Sequence, residues 1–162
     1  MHNFSKEQER KLKQELEIAS DVQKSIQPIT TPQIPKIQMA SLWQPAQAVG
    51  GDAWGWVQSS PTILSYFVLD IAGKGLPAAI AAMSLHTAIT FGLRMGLSVV
   101  DVVKLINDEF YDSYTRNALF ATAVVITIDL ERFTLTQANA GHPPTLIRHR
   151  NKTWTQLSAT VP

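Results

Sequence analysis

Two aspartates stand where short apolar segments meet glycine-rich turns, and they limit what this chain can fold into. One closes Gly50-Gly51-Asp52; the other opens Asp70-Ile71-Ala72-Gly73-Lys74-Gly75, directly after the apolar run Thr62–Leu69. A carboxylate at the end of a buried strand cannot remain a bare charge, because desolvating it costs several kcal/mol. Two such carboxylates brought together call for a cation, and hard ions such as Mg²⁺ or Mn²⁺ take carboxylate, carbonyl and water oxygens. Asp beside Gly is also ordinary turn chemistry, since the Asp side chain can bond its own backbone. From these residues alone, both a turn and a metal ligand stand open for Asp52 and Asp70.

The flanking sequence reads as strands, then two helices, then strands. Ser5–Gln27 predicts an amphipathic helix, with Leu12, Leu16, Ala19, Val22 and Ile26 on one apolar stripe. That stripe must be covered, either by the chain's own domain or by a second copy. Pro28, Pro32 and Pro35 end the helix and form a stiff connector. Strands are expected at Lys36–Gln44, at Asp52–Gln58 with Asp52, Trp54 and Trp56 on one face, and at Thr62–Leu69. Gly75 and Pro77 open a helix that stops at Gly96, and Ser98 with Asp101 forms a capping-box pattern for a second helix to about Tyr114. The β-branched run Phe120–Ile128 predicts a central strand, returned by Phe133–Ala138 after a turn at Asp129–Arg132. Asn139-Ala140-Gly141-His142-Pro143-Pro144 is a compact loop, and Thr145–His149 with Thr153–Leu157 is a hairpin. The order is not alternating βαβ, so the fold expected is α+β, with antiparallel sheet and helices segregated onto a face.

Composition removes several function classes. The 162 residues suit one domain, and 45% hydrophobic content is enough for a real core. Without cysteine there is no disulfide framework and no thiolate nucleophile, which fits a cytoplasmic setting. A net charge of +1 advertises no nucleic-acid surface. The apolar stretch Leu76–Leu97, broken by Ser84, His86, Thr87, Thr90 and Arg94, reads as a buried helix rather than a membrane span.

Several blocks, taken in order, carry a resemblance. They are Gln23-Lys24-Ser25-Ile26-Gln27-Pro28, Pro45-Ala46 with Val49-Gly50-Gly51-Asp52, and Asp70 through Ala79. Asn107, Phe120-Ala121-Thr122-Ala123 and the Asn139–Pro144 loop complete them. With these blocks the chain resembles the bacterial serine/threonine phosphatases of the metal-dependent PPM superfamily, SpoIIE/RsbU-type branch. The resemblance implies an antiparallel β-sandwich flanked by helices in αββα layers, preceded by the N-terminal amphipathic helix. Residues 1–28 would be a linker or regulatory helix and residues 36–162 the phosphatase-like domain. The implied reaction is hydrolysis of phosphoserine or phosphothreonine on a protein such as an anti-anti-sigma-factor-like partner, using two Mn²⁺ or Mg²⁺ ions. Asp52 would bridge the metals, with Asp70 and the backbone carbonyl of Ile71 as further ligands. An upstream sensor or receiver module is the other implied partner; a homodimer is expected only from the α1 stripe and an uncovered sheet edge.

The family's two remaining metal-binding aspartates, in an Asp-Gly and an Asp-Asp stretch, have no counterpart before Pro162. The expectation is therefore a C-terminally incomplete domain that binds metal weakly and exposes a sheet edge prone to self-association. The competing reading is a catalytically inactive binding or dimerisation module on the same fold. Among the remaining residues, His142 could be a general acid, a metal ligand or a structural hydrogen-bonder. Lys74 could attract phosphate or simply be a solvated turn lysine. Trp54 and Trp56 read as buried strand aromatics or a docking patch, and His86 as a satisfied core histidine.

Overall fold

The computed structural model describes residues 6–28, 30–35, 37–114 and 119–159. The expected helix start at Ser5, the strand start at Lys36 and the terminal Pro162 lie outside them. The elements run α1 (Lys6–Ile26), β1 (Asp52–Ser60), β2 (Ile63–Ile71), α2 (Leu76–Arg94), α3 (Val99–Tyr114), β3 (Ala121–Asp129), β4 (Thr134–Ala140), β5 (Thr145–Arg148) and β6 (Trp154–Leu157). The first four strands form one antiparallel sheet in the order β1-β2-β3-β4, and β5-β6 is a separate antiparallel pair. The order of elements and the antiparallel pairing agree with the α+β expectation.

Alternation along β1 and β2 gives the large sheet two unlike faces. Ala53, Phe67, Leu69, Ala123 and Val125 point to one side, where they join Ala81, Ala82, Leu85 and Ile89 of α2 and Val102 and Ile106 of α3 in a single core. Ser65 is on this side too and resolves its burial by sharing a 2.7 Å hydrogen bond with Thr127 on β3. The other side carries Asp52, Trp54 and Trp56 opposite Asp70, Val68 and Tyr66. The two tryptophans are half-buried there, intermediate between the two expected readings.

Each core helix begins and ends where its local chemistry requires. Pro77 sits in the first turn of α2, where a missing N–H costs nothing. The helix closes through Met95, whose N–H donates to the Phe91 carbonyl at 3.0 Å. By length and composition α2 could cross a membrane, but half of that stretch is buried in this domain. At α3 the Ser98 hydroxyl accepts the Asp101 N–H at 3.2 Å and donates to the Asp101 carboxylate at 2.6 Å, so the cap forms from the two residues expected.

One expectation fails in the N-terminal third. Residues 37–44 form no strand; apart from a single bridge between Ile34 and Ile37, the segment is irregular. The edge of β1 that such a strand would have paired is occupied by side chains instead. Trp54 N–H donates to Gln27 Oε1 at 3.1 Å, and the Trp43 indole donates to the Asp52 carbonyl at 2.9 Å.

The helix α1 docks on the domain by its polar edge, so of the two coverings expected for its apolar stripe the domain itself does not supply one. Ser20, Gln23 and the following Gln27 are its buried contacts, while Leu12, Val22 and Ile26 face solvent and only Leu16 and Ala19 are partly covered. Gln23 explains the choice. Its Nε2 donates to the Gly50 carbonyl at 2.7 Å and its Oε1 accepts the Gly50 N–H at 3.0 Å. This two-point clasp satisfies a buried amide and a peptide group at once, which an apolar side chain cannot do.

Candidate metal centre

The end of the large sheet carries a polar row built by strand register. Asp52 lies directly opposite Asp70, and Asp70 lies directly opposite Thr122 on β3. The Thr122 hydroxyl shares a 2.9 Å hydrogen bond with Nδ1 of His142. Asp52, Asp70 and His142 border one cavity of about 580 Å³, floored by Trp54 and Val68 and walled by residues 39–44. Of the expected site residues, Asp52 and Asp70 are thus cross-strand neighbours on one face. Ile71 comes next to Asp70 with its side chain buried in the core. Lys74 follows in the turn before α2 and is exposed.

The local backbone is shaped for close approach. A Cβ on Gly51 would lie 2.7 Å from the Ile71 carbonyl oxygen and 3.2 Å from the Ala78 Cβ. Only glycine lets β1 begin this near the end of β2, where Ile71 N–H also donates to the Gly51 carbonyl at 3.2 Å. The same closeness brings the Ile71 carbonyl to the carboxylate end of the sheet.

Two acids set face to face repel. Asp52 keeps contact with solvent, yet partial burial raises its pKa above the ordinary 3.8, the Asp70 charge raises it further, and a hydrogen bond from the pair adds to this. His142 partly offsets these effects. The His142 pKa is itself lowered from 6.5 by burial, against the opposing pull of Asp70 and Asp52. A pair held so that one member resists ionisation is what a divalent cation would relieve, so the donors present suit a hard metal. Among the described residues, however, no three His, Cys, Asp or Glu side chains are grouped to hold an ion unaided.

Sequence reasoning passed over three contributors. Thr122 holds the histidine ring. Asn139 is fully buried, and its Oδ1 accepts the His142 N–H at 2.9 Å, which fixes the loop. Tyr66 lines the same cavity with its hydroxyl buried and lacking a hydrogen-bond partner among the described residues, and burial raises its pKa. The Asn-Ala-Gly-His spacing hints at Asn139, an Asx-type bond within three residues. Thr122 and Tyr66 reach the site only through strand register.

Comparison with known proteins follows the same lines. The family model described as Stage II sporulation protein E (SpoIIE) matches residues 61–162. The phosphoserine phosphatase RsbP of Bacillus subtilis (strain 168) is 31% identical over 155 residues, covering 93% of this chain and 38% of RsbP. Among solved structures, the SiaA-PP2C domain of Pseudomonas aeruginosa superposes with a TM-score of 0.73 at 22% identity, over 93% of this chain and 61% of that one. RsbX, solved in complex with magnesium, gives a TM-score of 0.59 at 15% identity, over 70% of this chain and 53% of its own. At these identities the two structural likenesses are likenesses of fold. The chain spans less than half the length of the curated relatives it matches.

Proposed function

This chain belongs to the SpoIIE family, and from that premise we propose that it is the metal-dependent phosphatase part of a bacterial signalling protein, acting on phosphoserine or phosphothreonine in a partner protein. The observation that carries the reading is the opposed pair Asp52 and Asp70, whose mutual repulsion calls for a cation at the sheet end. Asp52, Asp70 and the Ile71 carbonyl are the residues that would hold Mn²⁺ or Mg²⁺. Such ions, in a pair, would supply an acidified water and neutralise charge on the phosphoryl oxygens. The chain's own part is to hold these donors at one register and to wall the cavity with Trp54 and the 39–44 segment. His142, kept neutral by burial and held by Thr122, is positioned beside the carboxylates to take or return a proton.

The wider reading follows the division at the proline connector. Residues 1–28 act as a linker to an upstream sensor or receiver module, and residues 36–162 as the phosphatase domain, in the cytoplasm. Leu12, Ile18, Val22 and Ile26 of α1 are exposed and available for pairing with a second copy. The substrate class proposed is an anti-anti-sigma-factor-like phosphoprotein. A second reading, a catalytically inactive module on the same fold, is favoured by one observation: among the described residues no group of three acidic, histidine or cysteine side chains is assembled to hold an ion.

A phosphoserine-peptide assay with Mn²⁺ or Mg²⁺ separates the two. Metal-dependent release of phosphate, abolished by Asp70→Asn without loss of fold, supports the phosphatase. Metal binding without turnover supports the inactive module. Unchanged turnover in Asp70→Asn refutes the assignment of the site.

A further inference from the structure

A second cavity, of about 520 Å³, lies away from the carboxylates, between the last turn of α1, the outer edge of β1 and α2. Two buried polar side chains with spare hydrogen-bonding capacity face it. Gln27 is 5% exposed and His86 6%, yet among the described residues Gln27 Nε2 has no hydrogen-bond partner and His86 Nε2 has only the Trp54 backbone nearby, too poorly placed for a well-formed bond. Burying such groups unpaired costs roughly 1–3 kcal/mol each. His86 is the expected core histidine, but its ring is only loosely satisfied, by the Trp54 backbone.

The chemistry of the two groups is defined by their surroundings. Because Gln27 Oε1 accepts the Trp54 N–H, its amide nitrogen is turned away with both hydrogens free to donate. His86 packs edge-on against Phe67, with ring centroids 5.1 Å apart. A side chain at Gly55 would close this corner, since its Cβ would meet the Phe67 ring at 2.3 Å and His86 Nε2 at 3.2 Å. Burial lowers the His86 pKa first; a weak hydrogen bond with the Trp54 backbone opposes this and the Arg94 charge reinforces it. The ring is thus a neutral imidazole, able to donate from one nitrogen. Arg94 and Thr90 complete a donor-rich side, and none of the described lining residues is acidic. Trp56, Val57 and Ile26 supply an apolar side.

We propose that this cavity binds a small organic carboxylate, its charged end bonded by Gln27 Nε2, His86 and Arg94 and its apolar body lying against Trp56 and Val57. Its volume, and an apolar wall facing a few convergent donors, fall in the range of small-molecule sites. The ligand would be gripped between α1 and the domain, because Gln27 follows directly on the helix while His86 and Arg94 belong to α2. This assignment stands apart from the metal centre and does not depend on it.

The test uses the whole chain in the absence of divalent metal, titrated with benzoate and, in parallel, with its neutral analogue benzamide. The Gln27 side-chain amide and the His86 ring resonances are followed by NMR, with amide exchange of α1 as a second readout. Benzoate should shift both signals at millimolar concentration, bind more tightly than benzamide, and slow exchange in the last turns of α1. Gln27→Glu keeps an oxygen for the Trp54 N–H but replaces the free donor by a charge, and should weaken benzoate by about tenfold or more. His86→Phe, which preserves the ring contact with Phe67, should weaken it independently. Absence of shifts, equal binding of benzamide, or shifts centred on Asp52 and Asp70 would each overturn the proposal.

Discussion

Replacing Asp52 by Asn should make the metal-free protein more stable while removing its response to metal. The two carboxylates sit directly opposite each other on β1 and β2. Two unit charges about 4 Å apart in water repel by about 1 kcal/mol. Asp52 retains solvent contact, so the water value applies rather than an interior one. Measured cross-strand pairs reach a similar figure, about 0.2–1 kcal/mol. For a chain of this size about 1 kcal/mol moves Tm by roughly 2–4 °C. The pH dependence has a definite sign. Because the Asp52 pKa is raised above 3.8 in the folded state, its contribution is fully present below that value and is lost as pH rises through the folded pKa. Thermal melts in EDTA should therefore show the wild type weakening relative to Asp52→Asn between acid pH and neutrality. Adding Mn²⁺ at pH 7 should raise the wild-type Tm by mass action and leave the variant unmoved. A variant that melts below the wild type in EDTA at pH 7, or that gains as much from Mn²⁺, would refute the reasoning.

Three further outcomes follow from other contacts. Gly51→Ala forces a Cβ to 2.7 Å from the Ile71 carbonyl and should cost about 1–3 kcal/mol, read as a lowered denaturation midpoint together with weakened metal binding. Gln23→Ala leaves the half-buried Gly50 peptide without its two partners and should speed hydrogen exchange in α1 while leaving β2 and β3 protected; unchanged exchange in α1 would show that the clasp does not hold the helix. His86 has a depressed pKa, so its contribution is complete above the unfolded value of about 6.5 and lost as pH falls toward the folded value. His86→Phe should flatten the acid side of the stability profile, which urea melts between neutrality and acid pH would record.

From Asp52 onward the elements announce themselves. A β-branched run marks β3, Pro77 and Gly96 bracket α2, and Ser98 with Asp101 caps α3, because each signal acts within a few residues of its effect. The N-terminal third is legible only in part. Periodicity finds the α1 stripe but says nothing of where its polar edge will meet a peptide, and Gln23 finds Gly50 across 27 positions. Alternation at 37–44 has the look of a strand, but the edge it would need is capped by Gln27 and Trp43. The site divides likewise. Glycine turns expose Asp52 and Asp70 to sequence reasoning, whereas Thr122 joins them through pairing 52 residues away from Asp70 and captures His142 from another 20.

That pairing has a consequence for how such a chain tolerates change in length. The row of Asp52, Asp70 and Thr122 exists in one alignment of three strands, and one inserted residue within β2 would turn Asp70 to the opposite side of the sheet. The connections at Ser60–Ile63 and Asp129–Thr134 lie at the far end, where β1 meets β2 and β3 meets β4. Loops there can grow or shrink while the near end keeps its alignment. Insertions and deletions among descendants of this chain should accordingly collect at those two hairpins and spare the strand halves that carry the row.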